Sequence, residues 1–134
     1  MTINILGTTY TIIEQSEKDN PKLKDSDGLC EQYSKKIIIS SDIRTSEDVM
    51  TVENVEEYRK KVLRHEIIHA FLGESGLRSN SEWAENEEMV DWFAIQFEKL
   101  HQAFEAAGAL ENALVVECDA WERFAKAAGQ VSPR

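Results

Sequence analysis

The chain has 134 residues, 42% of them hydrophobic, which suits one domain folded round a single core. Its 25 acidic residues against 15 Lys and Arg give a formal charge of −10, which argues against a nucleic-acid face, since phosphate backbones are held by clustered Lys and Arg. No run reaches the roughly 18 apolar residues of a membrane span, and Met1 to Ile13 shows neither a basic leader nor a cleavage site, so a cytoplasmic protein with no membrane partner is expected.

Ile3 to Leu6 and Thr9 to Ile13 flank Gly7-Thr8 and are rich in β-branched residues, which predicts a β-hairpin. Residues 14 to 28 are polar, with turn signals at Asp19-Asn20-Pro21 and Asp25-Ser26-Asp27-Gly28, and read as a loop with room for a short helix. Leu29 to Tyr33 is a short strand and Lys36 to Ser40 a stronger one. Together these segments, about residues 1 to 45, predict a small antiparallel sheet. Cys30 and Cys118 form no CxxC pair, so both are expected to be reduced and packed as small hydrophobes. Cys30 has a second reading, as a redox-sensitive group beside a metal.

A helix is expected over about residues 54 to 73. Asn54 can cap it, Glu57 completes a capping box, and Gly73 or Gly76 ends it. Tyr58, Val62 and Leu72 recur on the face that carries His65 and His69. The segment His65-Glu66-Ile67-Ile68-His69 is an HExxH motif. Imidazoles at i and i+4 reach one tetrahedral ion from the same face, while Glu66, about 100° round the helix, reaches a water at the open position and not the ion itself. Glu66 is therefore the candidate catalytic base, with His65 and His69 as metal ligands.

A catalytic zinc takes three protein ligands. The HExxHxxGxxH pattern is excluded, because Leu72 stands at its glycine and Ser75 at its last histidine. A glutamate from a following helix is the other route. That helix is expected over about residues 80 to 107, starting near Ser79 to Ser81 and stopped by Gly108, with Val90, Phe93, Phe97, Leu100 and Phe104 as a core stripe. Glu87 and Asp91 share one face of it. Glu87 can ligate the ion, and Asp91, one turn later, can accept the free ring N–H of a ligating histidine and fix its tautomer. Ala84 and Ala94 on the same side would let the two helices approach. Glu88, Glu74, Glu82 and Glu85 are the alternatives to Glu87. A third helix, about residues 110 to 128, carries Leu110, Leu114, Cys118, Trp121, Ala125 and Ala128 at helical spacing. Packing against the domain is preferred there to a dimer face, so a monomer is expected in place of a homodimer.

His65-Glu66-Ile67-Ile68-His69 followed by Glu87-Glu88-Met89-Val90-Asp91-Trp92-Phe93-Ala94 resembles the ImmA/IrrE-type metallopeptidases, single-domain gluzincins of phages and mobile elements with a second motif near ExxA(D/N)xFA. The match covers roughly residues 35 to 100 and departs at Val90, where that family usually has alanine. The predicted elements make one α+β domain of residues 1 to 134, and the resemblance implies a minimal zincin-like fold for it and a small cytosolic zinc endopeptidase. In some members the substrate is a helix-turn-helix repressor, so a protein or peptide substrate such as a phage or host regulator is implied.

The residues themselves favour one Zn²⁺, although Fe²⁺ or Mn²⁺ suits the same donors. The reading from a different class is a zinc-stabilised interaction module without turnover, and the base at Glu66 counts against it, because a structural site has no use for one. An oxyanion donor is left open among Tyr33, Tyr58 and Arg44. His101 lies 14 residues past Glu87, about 21 Å along a straight helix, and is too remote. An extended substrate would lie along an exposed strand edge, for which Lys36 to Ser40 is the candidate.

Overall fold

The computed structural model describes residues 1–47 and 52–111. The chain divides into two compact units, Met1–Gln96 and Phe97–Arg134, where the sequence reads as one domain. The expected third helix, with Leu114, Cys118 and Trp121, lies outside the described residues.

The first unit opens with β1 (Thr2–Ile5) and β2 (Thr8–Gln15), paired antiparallel with Thr2 opposite Thr11. Leu6 and Gly7 between them both have positive φ, 49° and 90°, the two-residue turn whose twist matches that of the strands. After a short 3₁₀ turn at Pro21–Leu23 come β3 (Gly28–Glu31) and β4 (Lys36–Ser40), also antiparallel. The strand order is β1-β2-β4-β3, and β4 runs parallel to β2, with Ile12 opposite Ile37. The sheet is therefore mixed, which corrects the expectation of an antiparallel one. The chain passes beyond β4 to lay down β3 first and then turns back, so β4 enters the gap beside β2 in the same direction.

That topology also corrects the expected edge. β4 is paired on both sides and cannot take a substrate strand; β3 is the edge next to it. Ile37, Ile38 and Ile39 are all buried, and such a continuous apolar run belongs to an inner strand covered on both faces.

α1 (Val55–Glu74) packs across β3 and β4. The Asn54 side chain accepts from the Glu57 backbone N–H at 3.3 Å, the cap expected from the sequence, and Gly76 turns the chain away with φ 78°. Val62 and Ala70 on α1 close the main core against Ile5, Tyr10, Ile37 and Ile39. At the C-terminal end of α1, Glu74 accepts from Thr8 Oγ1 at 3.0 Å and from the Tyr10 hydroxyl at 2.7 Å, and pairs with Lys35, which fastens the helix end to the hairpin.

Residues 80 to 86 depart from the expected helix. Glu82–Glu85 is a separate 3₁₀ turn and α2 spans Glu87–Ala106. Asn86 is extended, and its side chain accepts from the Met89 backbone N–H at 2.8 Å, so α2 begins one residue later. Leu72, Ala84 and Val90 form a second buried cluster that joins the end of α1, the 3₁₀ turn and the start of α2. The expected core stripe holds at Val90 and, half-buried, at Leu100, whereas Phe93, Phe97 and Phe104 are exposed. In the second unit, α2 ends where expected: Ala109 N–H reaches the Phe104 carbonyl at 2.8 Å and Gly108, φ 65°, reaches that of Glu105 at 3.0 Å, a Schellman closure.

Candidate metal centre

The second apolar cluster sets the position of Glu87. With Val90 and Ala84 fully buried against Leu72, the first turn of α2 is held beside the C-terminal half of α1. Ala94 is fully buried as well, and Arg64 Nε of α1 donates to its carbonyl at 2.6 Å. Ala84 and Ala94 are thus both buried at this junction, where α1 and α2 meet mainly through side chains and not by the close backbone approach expected of them.

Three donor atoms meet there. His65 Nε2 lies 2.9 Å from His69 Nε2 and 3.1 Å from Glu87 Oε2, and His69 Nε2 lies 3.2 Å from the same oxygen. This group could hold a metal ion, and it is the one such group among the described residues. Donors at about 2.0–2.1 Å from a tetrahedral ion are about 3.4 Å apart, so the triangle is close to one face of such a tetrahedron.

Asp91 Oδ1 lies 2.8 Å from His65 Nδ1. The carboxylate accepts the Nδ1–H, which leaves the Nε2 lone pair directed at the triangle. Lys61 Nζ pairs with the same oxygen at 2.7 Å. Burial pushes the Asp91 carboxyl up, but the hydrogen bonds from Lys61 and His65 outweigh it and hold the group below its usual range. His69 is held below the usual histidine range chiefly by burial. Its Nδ1 is buried without a hydrogen-bond partner among the described residues.

Glu66 is 6% exposed and lies outside the donor triangle. Burial, and then the charge of Glu87, push its carboxyl up to about 7, the range in which a group can both take and give a proton near neutrality. Glu87 is 67% exposed, so the centre opens outward on its side.

A cavity of about 280 Å³ adjoins these groups. His65, Glu66, His69 and Glu87 line it together with Gly28, Leu29 and Cys30 of β3. Arg78, from the 3₁₀ turn at Leu77–Ser79, lines it too. All five site residues named from the sequence, His65, Glu66, His69, Glu87 and Asp91, are thus brought together. Of the alternatives to Glu87, Glu74 is engaged with the hairpin, and Glu82, Glu85 and Glu88 are not in the donor group.

None of the oxyanion candidates lines this cavity, although Tyr58 stands within electrostatic reach of Asp91. Tyr33 is 96% exposed, Arg44 pairs with Glu14 and Glu56, and the Tyr58 hydroxyl donates to Asp27. Cys30 does reach the cavity wall, but burial and the charge of Glu66 push its thiol up to about 11, so it is no ready thiolate. Gly28 and Arg78 escaped the sequence reading. Gly28 appeared only as a turn signal, and Arg78 reaches the cavity through a fold-back that no spacing announces.

No family model matches the chain, and neither a curated protein nor a solved structure matches it. No described helix is long and apolar enough to cross a membrane.

Proposed function

We propose that this chain is a zinc-dependent endopeptidase of the ImmA/IrrE type with a zincin-like fold, acting in the cytoplasm on a peptide bond of a protein substrate. The observation that carries the reading is the pairing of a three-donor group with a buried carboxylate, Glu66, in the wall of the same cavity. A structural zinc site is closed by four protein ligands, whereas three ligands leave a position for chemistry. Two neutral imidazoles and one carboxylate favour zinc among the common divalent ions.

When bound, the ion would polarise the substrate carbonyl and acidify the attacking water. Glu66 takes the proton of that water on its carboxylate and passes it to the leaving amine; its raised proton affinity suits both steps. Asp91 keeps His65 in the Nδ1–H form and Lys61 keeps Asp91 ionised. The substrate backbone pairs with the free edge of β3, Gly28–Glu31, which replaces the edge expected at Lys36 to Ser40.

Zinc content of the purified protein beside Glu87→Gln and Glu66→Gln tests this. Wild type and Glu66→Gln should hold close to one zinc and Glu87→Gln much less, while only wild type should cut a random peptide library. A wild type that holds no zinc after reconstitution, or a Glu66→Gln protein that cuts as fast as wild type, would overturn the reading.

A further inference from the structure

We propose that Arg78 selects the substrate, by binding a carboxylate on the peptide next to the bond that is cut. The inference rests on the peptidase reading for what the cavity receives, and on the surroundings of Arg78 for the rest.

Arg78 lines the cavity together with Glu66, His69 and Glu87. Gly28, Leu29 and Cys30 line the same cavity, so Arg78 stands at a wall shared by α1 and β3. The other described arginines are occupied: Arg44 and Arg59 pair with Glu14 and Glu56, and Arg64 donates to Ala94. The Arg78 side chain makes no hydrogen bond or ion pair with any described residue. In a chain with 25 acidic residues, acceptors are plentiful, and an arginine kept from them at a cavity wall has its five donors free for a ligand.

The donor geometry then names the ligand. A planar guanidinium fork matches the two oxygens of a carboxylate, whereas a peptide carbonyl offers one neutral oxygen. The formal charge of −10 repels anions at long range, so preference for an acidic peptide has to arise from a cation in contact with it. A free C-terminus and an Asp or Glu side chain offer the same group.

The test uses the full chain carrying Glu66→Gln, so that nothing is cut, in a zinc-loaded series and a chelated one. Each is titrated with three N-acetylated tetra-alanine probes: one with a free C-terminus, one amidated, and one amidated with an internal glutamate. One carboxylate probe should bind about tenfold tighter than the neutral amide, and which one does so identifies the source. Arg78→Met should abolish that preference in the chelated series, where no ion can hold the carboxylate, and Arg78→Lys should restore part of it. Equal binding of all three probes, or a preference that survives Arg78→Met, overturns the inference. The two failures are separable: carboxylate binding through Arg78 in a protein whose wild type cuts nothing sinks the peptidase reading and leaves Arg78 as a carboxylate site with no cleavage to direct. Equal cleavage of acidic and neutral peptides sinks this inference alone.

Discussion

Gly28 stands where β3 crosses α1, and a Cβ there would lie 2.8 Å from Val62 Cγ1 and 2.9 Å from Glu66 Oε1. The strand edge and the base can be neighbours only because this residue has no side chain. Gly28→Ala should therefore destabilise the protein by about 1–3 kcal/mol through overpacking and displace Glu66. Zinc content is expected to stay near one while the hydrolysis rate falls, both read on the same sample; an unchanged rate would detach Gly28 from the site. Asp91→Asn addresses the other side of the centre. It removes the carboxylate that orients His65, and zinc affinity should drop about 10–100-fold in competition with a chromophoric chelator. Unchanged affinity would make the 2.8 Å contact incidental. His65, His69, Glu87 and Asp91 were legible in the sequence because i, i+4 spacing translates directly into a shared helix face. Gly28 was not, because its role is fixed by a helix some forty residues away in the chain.

Elements were legible where local chemistry decides them and less so where pairing does. The Asn54 cap and the stop at Gly108 follow from short-range preferences and the structure has both, while the hairpin turn falls at Leu6-Gly7, one residue before the expected Gly7-Thr8. The neighbours of β4 depend on a non-local choice, although its unbroken Ile37-Ile38-Ile39 run was a signal for an inner strand. The start of α2 was also signalled, by Asn86 ahead of Glu87 and Glu88. The competing helical pattern in residues 80 to 85 is broken by burial of Ala84 in the 3₁₀ turn. The joint between α1 and the hairpin yields a prediction at this scale. Hydrogen bonds from Lys35 and Tyr10 hold the Glu74 carboxyl down at about 2, against an ordinary value of 4.5. The folded state thus binds this proton less readily than the unfolded chain, so the stability it contributes is complete above pH 4.5 and is lost as pH falls toward 2. In Glu74→Gln the acid-side loss of stability between those values should be shallower, as followed by denaturant midpoints at several pH values. Identical pH profiles for the two proteins would show that the contact stores no such linkage.

Across the first unit as a whole, the donor triangle spans two helices that also meet through buried Ala94, the hydrogen bond from Arg64 to its carbonyl, and the contacts of Lys61 and His65 with Asp91. An ion there would bind the folded chain and not the unfolded one, because Glu87 is separated from His69 by 18 residues and reaches it only through the Leu72, Ala84 and Val90 cluster. Such linkage adds about 2.7 kcal/mol when free zinc is 100 times its Kd. The acidic balance of the chain works in the same direction, since a divalent cation relieves part of the self-repulsion of a protein with formal charge −10. The melting temperature of wild type should accordingly rise by roughly 8–10 °C with zinc at that excess, and should return on addition of a chelator. Glu87→Gln, which removes one corner of the triangle, should lose most of the rise, while Glu82→Gln, which removes the same formal charge outside it, should keep it. Equal responses in the two variants would mean that zinc acts through the general acidity of the surface. A loss confined to Glu87→Gln would mean that it acts by joining α1 to α2 at the centre.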